Sequence, residues 1–185
     1  MPMKVREVIK LLEERGWKEM RSRGSHRQFR HPEIVEQVEK VLRETQVDPA
    51  ALKLEITETV TMDNAERTIR VVNGLKNLGV RLSIDDFGTG YSSLSYLHRF
   101  PMDTLKIDRS FVQNLPSNPE NFEIVRTIVS LARNLGMDVV AEGAETAEEI
   151  EQLKALECDF GQGYFFSKPV DSGQADNLLR KAAQS

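Results

Sequence analysis

Cysteine is almost missing from this sequence: the chain of 185 residues holds one, Cys158. That excludes a disulfide framework within the chain and a cysteine-based zinc site. Long apolar runs are missing too, and none approaches the roughly 18–20 residues of a membrane span. The opening MPMKVREVIKLLEERGW alternates charge with apolar residues and does not read as a signal peptide. The expectation is therefore a soluble, cytoplasmic protein. No low-complexity segment and no Gly/Ser/Pro-rich linker interrupts the chain. With 39% hydrophobic and 29% charged residues it is neither disordered nor collagen-like. Its length suits one full domain rather than two.

Charge is present in both signs but unevenly. Residues 1–33 hold nine Lys/Arg and five Glu, or +4, whereas the rest holds 16 Lys/Arg and 24 Asp/Glu, or −8, giving the net −4 of the chain. A basic head on an acidic body suggests two segments with different partners. In the head, Val5, Val8, Ile9, Leu11 and Leu12 recur at helical spacing, with Gly16 as the stop. Residues 18–30, KEMRSRGSHRQFR, predict two short strands around Gly24-Ser25, and Pro32 closes the segment. A helix and hairpin of about 30 residues cannot bury a core alone, so the head must lean on something else.

The body has a different rhythm. Ile34, Val38, Val41 and Leu42 form a helical stripe. Strands are predicted at LKLEIT (52–57), RLSIDD (81–86), TLKID (104–108), DVVAE (138–142) and GYFF (163–166). Helices are predicted over 64–78, 118–135, from the capping box Thr146–Glu149 onward, and over 175–183. Strand ends near 57, 86, 108, 142 and 166 suit repeated βα units with parallel strands. Five strands fall short of the eight of a closed barrel. The expected fold is α/β: either an open doubly wound sheet or an incomplete (β/α)₈, TIM-type barrel of about five parallel strands, preceded by a short helix and hairpin.

Four strands carry acids at their C-terminal ends: Glu55 and Glu58, Asp85 and Asp86, Asp108, and Glu142. In parallel α/β folds that rim is where sites are built. Strand alternation sharpens the pattern. Leu54 and Ile56, Leu82 and Ile84, and Leu105 and Ile107 face the helices, so Glu55, Asp85, Lys106 and Asp108 face inward, and Glu142 shares the side of Val140. Converging carboxylates repel unless a cation compensates. Oxygen ligands without Cys or clustered His favour Mg²⁺ or Mn²⁺, and such ions in pairs serve phosphodiester hydrolysis. An inward lysine would hold a phosphate oxygen or a water. A strand-end acid taken singly is ordinary loop chemistry; the set is not. The segment Asp86–Ser93, DFGTGYSS, has glycines that allow close backbone approach, but it is neither GxGxxG nor a P-loop.

The motifs LEITET (54–59), DDFGTGYSSLSYL (85–97), LKIDRSFV (105–112), AEGAET (141–146) and GQGYFFSKP (161–169) resemble the EAL family of cyclic-di-GMP phosphodiesterases. The resemblance runs from about Ile34 to the C-terminus. It implies a modified (β/α)₈ barrel, Mg²⁺ or Mn²⁺, and hydrolysis of cyclic-di-GMP to linear pGpG. It places Glu55, Asp85, Asp86, Glu142 and Gln162 at the metal, Lys106 beside the attacking water, Asp108 in the same site, and Glu145 as the residue steadying the loop after Asp86. The family's opening strands, with the Glu-Ala-Leu glutamate and a metal-binding asparagine, have no counterpart here, which implies impaired activity. The head, residues about 3–33, resembles the first half of HicA toxins, small ribonucleases, with His26 as general acid/base and Arg21, Arg23, Arg27 and Arg30 as phosphate contacts. The reading of domains is thus 1–33, HicA-like, and 34–185, a truncated EAL-type barrel. The alternatives are a non-catalytic nucleotide- or partner-binding protein and a HicA-like RNA-directed toxin. Open sheet edges further imply a homodimer, unless the hairpin covers the edge at LKLEIT.

Overall fold

The structure is a computed structural model that describes residues 18–23, 26–30, 33–58, 65–90, 97–170, 174 and 180. The helix expected over 5–12 lies outside the described residues, as do all residues of that expected over 175–183 except 180, and the side chain of His26.

The described residues form two sheets. β1 (Lys18–Arg23) and β2 (His26–Arg30) pair antiparallel as a hairpin. β3 (Lys53–Thr57), β4 (Arg81–Phe87), β5 (Thr104–Ile107), β6 (Asp138–Glu142) and β7 (Phe160–Gln162) form a parallel sheet in that order. The hairpin does not join the larger sheet, so β3 keeps an open edge among the described residues. The α/β architecture is a partial TIM-like barrel with five parallel strands, as the βα spacing implies.

Helices α1 (Ile34–Thr45), α2 (Ala65–Asn77), α3 (Arg109–Val112), α4 (Pro119–Asn134) and α5 (Ala147–Ala155) connect and cover the strands. Their ends are fixed locally. Asn118 caps α4 by accepting from the Glu120 and Asn121 amides, with Pro119 at the first turn. Thr146 and Glu149 form the capping box of α5. Gly79 and Gly136, both with positive φ, turn the chain out of α2 and α4.

The alternating apolar residues do what period two demands. Leu82, Ile84, Leu105, Ile107, Val139 and Ala141 are buried under the helices together with Val72, Val125 and Val129. Each large one contributes about 1.5–3 kcal/mol on burial. In α1 the stripe is narrower than expected. Val35, Val38 and Leu42 pack against the core, whereas Val41 is exposed. No described helix is long and apolar enough to cross a membrane.

The last strand departs from expectation. It is Phe160–Gln162, and GYFF turns away from the sheet. The cause is the backbone of Ala144, whose amide donates to Gln162 O and whose carbonyl accepts from Phe165 N. Gly163 lies against that residue so closely that a Cβ there would sit 2.1 Å from the Ala144 oxygen. The aromatic side chains of Phe165 and Phe166 consequently stay exposed.

Candidate active site

The site stands on the C-terminal rim of the sheet and is organised by Lys106. β5 is the central strand, and its inward residues Thr104 and Lys106 are buried. The Lys106 ammonium meets three carboxylates from three different strands: Glu55 Oε1 of β3 at 2.7 Å, Asp85 Oδ1 of β4 at 2.8 Å and Glu142 Oε1 of β6 at 2.6 Å. The inward parity expected for Glu55, Asp85, Lys106 and Glu142 is the parity observed. Burial works against the ammonium, but hydrogen bonds to Asp85, Glu142 and Glu55 outweigh it and raise the Lys106 pKa above the ordinary lysine value. Glu142 shifts upward as well. Burial raises its pKa, the nearby charges of Asp85 and Glu55 add to that, and Lys106 opposes them. One cation among three carboxylates leaves a surplus of negative charge.

Asp86 joins this group through a backbone irregularity. Simple alternation would send Asp85 and Asp86 to opposite faces. Instead, Ile84 pairs with Leu105 and Phe87 with Ile107, so β4 advances three residues while β5 advances two. This bulge places Asp86 at φ 55°. Oxygens of Asp85, Asp86 and Glu142 then lie within 4.8 Å of one another, a grouping that suits a metal ion. The donors are all carboxylate oxygens, which fits Mg²⁺ or Mn²⁺. Glu55 stands outside that grouping and reaches Lys106 instead. Gln162, exposed on β7, pairs in register with Glu142 and so belongs to the same face.

Two further residues of this rim make local contacts. Asp108 caps α3, accepting from the Ser110 amide at 2.8 Å, because the strand ends at Ile107 and the chain turns directly into helix. Glu145 is exposed at the entrance to α5, where its amide donates to Glu149 Oε2. Among the described residues, the carboxylate that grips the loop after Asp86 is Glu58. Glu58 is buried, and its Oε2 accepts from the amides of Gly88 and Gly90, both at 3.0 Å. The glycines permit this approach, since a Cβ on Gly90 would meet the Glu58 carboxylate at 3.0–3.2 Å. Glu58 was visible in the sequence as a strand-end acid, and a glycine loop with amides in need of an acceptor was the signal for its role.

Comparison with known proteins now bears on the assignment. The family model of the EAL domain matches residues 9–169. The chain belongs to the EAL domain family. It is 43% identical over 147 residues to the cyclic di-GMP phosphodiesterase NbdA of Pseudomonas aeruginosa, a match covering 80% of this chain and 19% of that protein. The chain therefore spans about a fifth of the length of that curated relative. Among solved structures, the EAL domain of Mycobacterium smegmatis DcpA matches with a TM-score of 0.77 at 44% identity, covering 81% of this chain and 67% of that one. BlrP1 of Klebsiella pneumoniae, a complex with manganese and cyclic-di-GMP, matches with a TM-score of 0.70 at 36% identity, covering 75% of this chain and 36% of that one.

Proposed function

We propose that this EAL domain binds one divalent cation, Mg²⁺ or Mn²⁺, on Asp85, Asp86 and Glu142, and that it binds cyclic-di-GMP and hydrolyses one of its phosphodiester bonds slowly. The observation that carries the reading is the convergence of Asp85, Asp86 and Glu142 around a cation-sized space beside the ammonium of Lys106. The names of the relatives support the substrate. When bound, the ion supplies Lewis acidity toward the phosphate and lowers the pKa of bound water.

The chain's own residues divide the remaining work. Lys106 presents a buried positive charge to an anionic phosphate and holds Glu55. Glu58 fixes Gly88 and Gly90, and with them the loop that follows Asp86. Gln162 extends the face beyond Glu142. We infer slow hydrolysis for this 185-residue polypeptide taken by itself: five strands among the described residues supply the site, and the Glu-Ala-Leu glutamate and its partner asparagine are not among the 185 residues. Loss of even one preorganised charge-stabilising group costs about 10²–10³ in rate.

Turnover of cyclic-di-GMP in Mn²⁺, measured beside a binding titration, tests the proposal. Binding with slow, metal-dependent release of pGpG is expected. Binding without turnover would favour a nucleotide-binding protein, and absence of binding would remove the substrate. We also propose self-association through the outer strands β3 and β7, which have open edges among the described residues. A single monomeric species in sedimentation at tens of micromolar would overturn that.

A further inference from the structure

Two groupings of the same carboxylates overlap. Lys106 pairs with Glu55, Asp85 and Glu142. The cation-sized grouping contains Asp85, Asp86 and Glu142. Asp85 and Glu142 belong to both. The lysine is therefore already doing at these two residues what a bound cation would do. Its side chain is only 8% exposed and leaves little room for water to screen it. A divalent ion placed on the same two carboxylates would lie within a few ångströms of the ammonium, where like charges repel strongly when solvent is excluded.

The strands explain why the lysine can take this position. Lys106 sits on the middle strand of five, with β4 and β6 on either side, so Asp85 and Glu142 approach it from both flanks. Glu55 comes from one strand farther out and is the most exposed of the three carboxylates, at 48%. The four-carbon stem of lysine lets the ammonium swing without moving the backbone. A shift toward Glu55 would free Asp85 and Glu142 while keeping one ion pair.

We propose that Lys106 is a built-in counter-cation, which a divalent ion must displace from Asp85 and Glu142 in order to load the site. The proposal rests on the metal assignment given above and adds a regulatory consequence to it. The empty site stays folded because the lysine offsets the repulsion of its acids. Metal affinity is held down by the cost of moving the lysine. A phosphate that draws the ammonium toward itself raises metal affinity in return, since coupling between two ligands is reciprocal. The site then loads fully only when ion and phosphate are both present.

The test is calorimetric titration of the full chain with MnCl₂. Wild type, Lys106→Met, Lys106→Arg and Asp86→Asn are compared. Lys106→Met, which removes the charge but keeps most of the stem, should bind Mn²⁺ about tenfold more tightly than wild type, equivalent to about 1.4 kcal/mol. Lys106→Arg keeps the charge and should show no gain. The metal-free Lys106→Met protein should melt lower than wild type and recover more on adding Mn²⁺. Equal or weaker Mn²⁺ binding by Lys106→Met, with Asp86→Asn binding lost, overturns the counter-cation and leaves the metal assignment standing. Absence of Mn²⁺ binding in every protein removes both. If Lys106→Met fails to fold, the wild type decides through acetylation of Lys106 followed by mass spectrometry. Labelling should rise severalfold with saturating Mg²⁺, and labelling unmoved by Mg²⁺ overturns the proposal.

Discussion

The two ends of β5 carry the same chemistry in opposite balance. At the entering rim, Asp103 accepts from Lys76 Nζ at 2.7 Å and from the Leu82 amide at 2.7 Å. One acid meets one lysine and one backbone donor, and nothing is left over. At the exit rim three residues later, Lys106 meets three carboxylates, with Asp86 close to two of them. The first arrangement ties β4 to β5 and is complete as it stands. The second is short of positive charge. Asp159 repeats the entering-rim device by accepting from the Val139 amide at 2.8 Å, which fastens β7 to β6. Acids at one rim of the sheet hold strands together, and acids at the other rim carry the charge surplus that we propose a cation and an anionic substrate meet.

Asp85→Asn breaks the exit rim most severely. It removes a carboxylate from both the lysine and the metal grouping while keeping its size. Even outer residues of metal sites contribute about 10–100-fold to affinity, so a direct ligand should contribute at least that. We expect Mn²⁺ affinity to fall by this factor and cyclic-di-GMP turnover by about 10²–10³. Calorimetry and a turnover assay check both. The metal-free melting temperature should hold or rise, because the surplus of negative charge has been reduced.

Glu58→Ala comes next and separates the loop from the ligands. The Gly88 and Gly90 amides lose a charged acceptor inside the protein. Hydrogen bonds to charged groups contribute about 1.5–3 kcal/mol each, so a loss of about 3 kcal/mol is expected for the pair. For a domain of this size that corresponds to a fall of roughly 6–12 °C in melting temperature. An unchanged melting curve would mean that the loop finds its acceptor elsewhere.

Asp103→Asn tests the entering rim and has a pH signature. Burial raises the pKa of Asp103, but the Lys76 and Leu82 hydrogen bonds outweigh it and hold the carboxylate below its ordinary value. A carboxylate with a depressed folded pKa stabilises the fold above its unfolded pKa of about 3.9, and that contribution is lost as pH falls through the folded value. The variant should therefore be less stable than wild type at pH 7, by about 1 kcal/mol given the partial exposure of the pair. The gap should begin to shrink near pH 4 and close as pH falls through the depressed folded value. Urea unfolding at pH 7 and at pH 3 measures it, and a gap independent of pH would contradict the assignment.

Much of this contrast was legible in the residues. Period two in LEI, SID and LKI placed Glu55, Asp85 and Lys106 on one face because each follows an apolar residue that must be covered by helices. Capping signals placed α4 and the start of α5 to within a residue. What alternation could not supply was its own interruption. The bulge at Asp85-Asp86 depends on the pairing of β4 with β5, which is a tertiary fact, and it turns two consecutive acids toward one place. GYFF has the composition of a strand and yet leaves the sheet, because Ala144 takes up its backbone groups and Gly163 fits against that contact. Asp108 has the parity of an inward residue, but parity ends where β5 ends.

Glu145→Gln should have the smallest effect of these substitutions, and it sharpens the comparison with Glu58. Both glutamates lie just beyond the exit rim, Glu58 at the first helical residue after β3 and Glu145 in the loop before α5, and sequence resemblance alone favours Glu145 as the residue that steadies the loop after Asp86. The contacts of the described residues favour Glu58. Glu58 is 2% exposed and its carboxylate accepts two amides from that loop. Glu145 is exposed, and its backbone amide donates to Glu149 Oε2. Glutamine leaves that amide in place. Exposed substitutions of this kind stay within about 0.5 kcal/mol. Melting temperature, Mn²⁺ affinity and turnover should therefore all match wild type, in the same assays that detect Glu58→Ala. A drop in turnover with the melting temperature unchanged would return Glu145 to the site and show that its side chain reaches the substrate in the bound state.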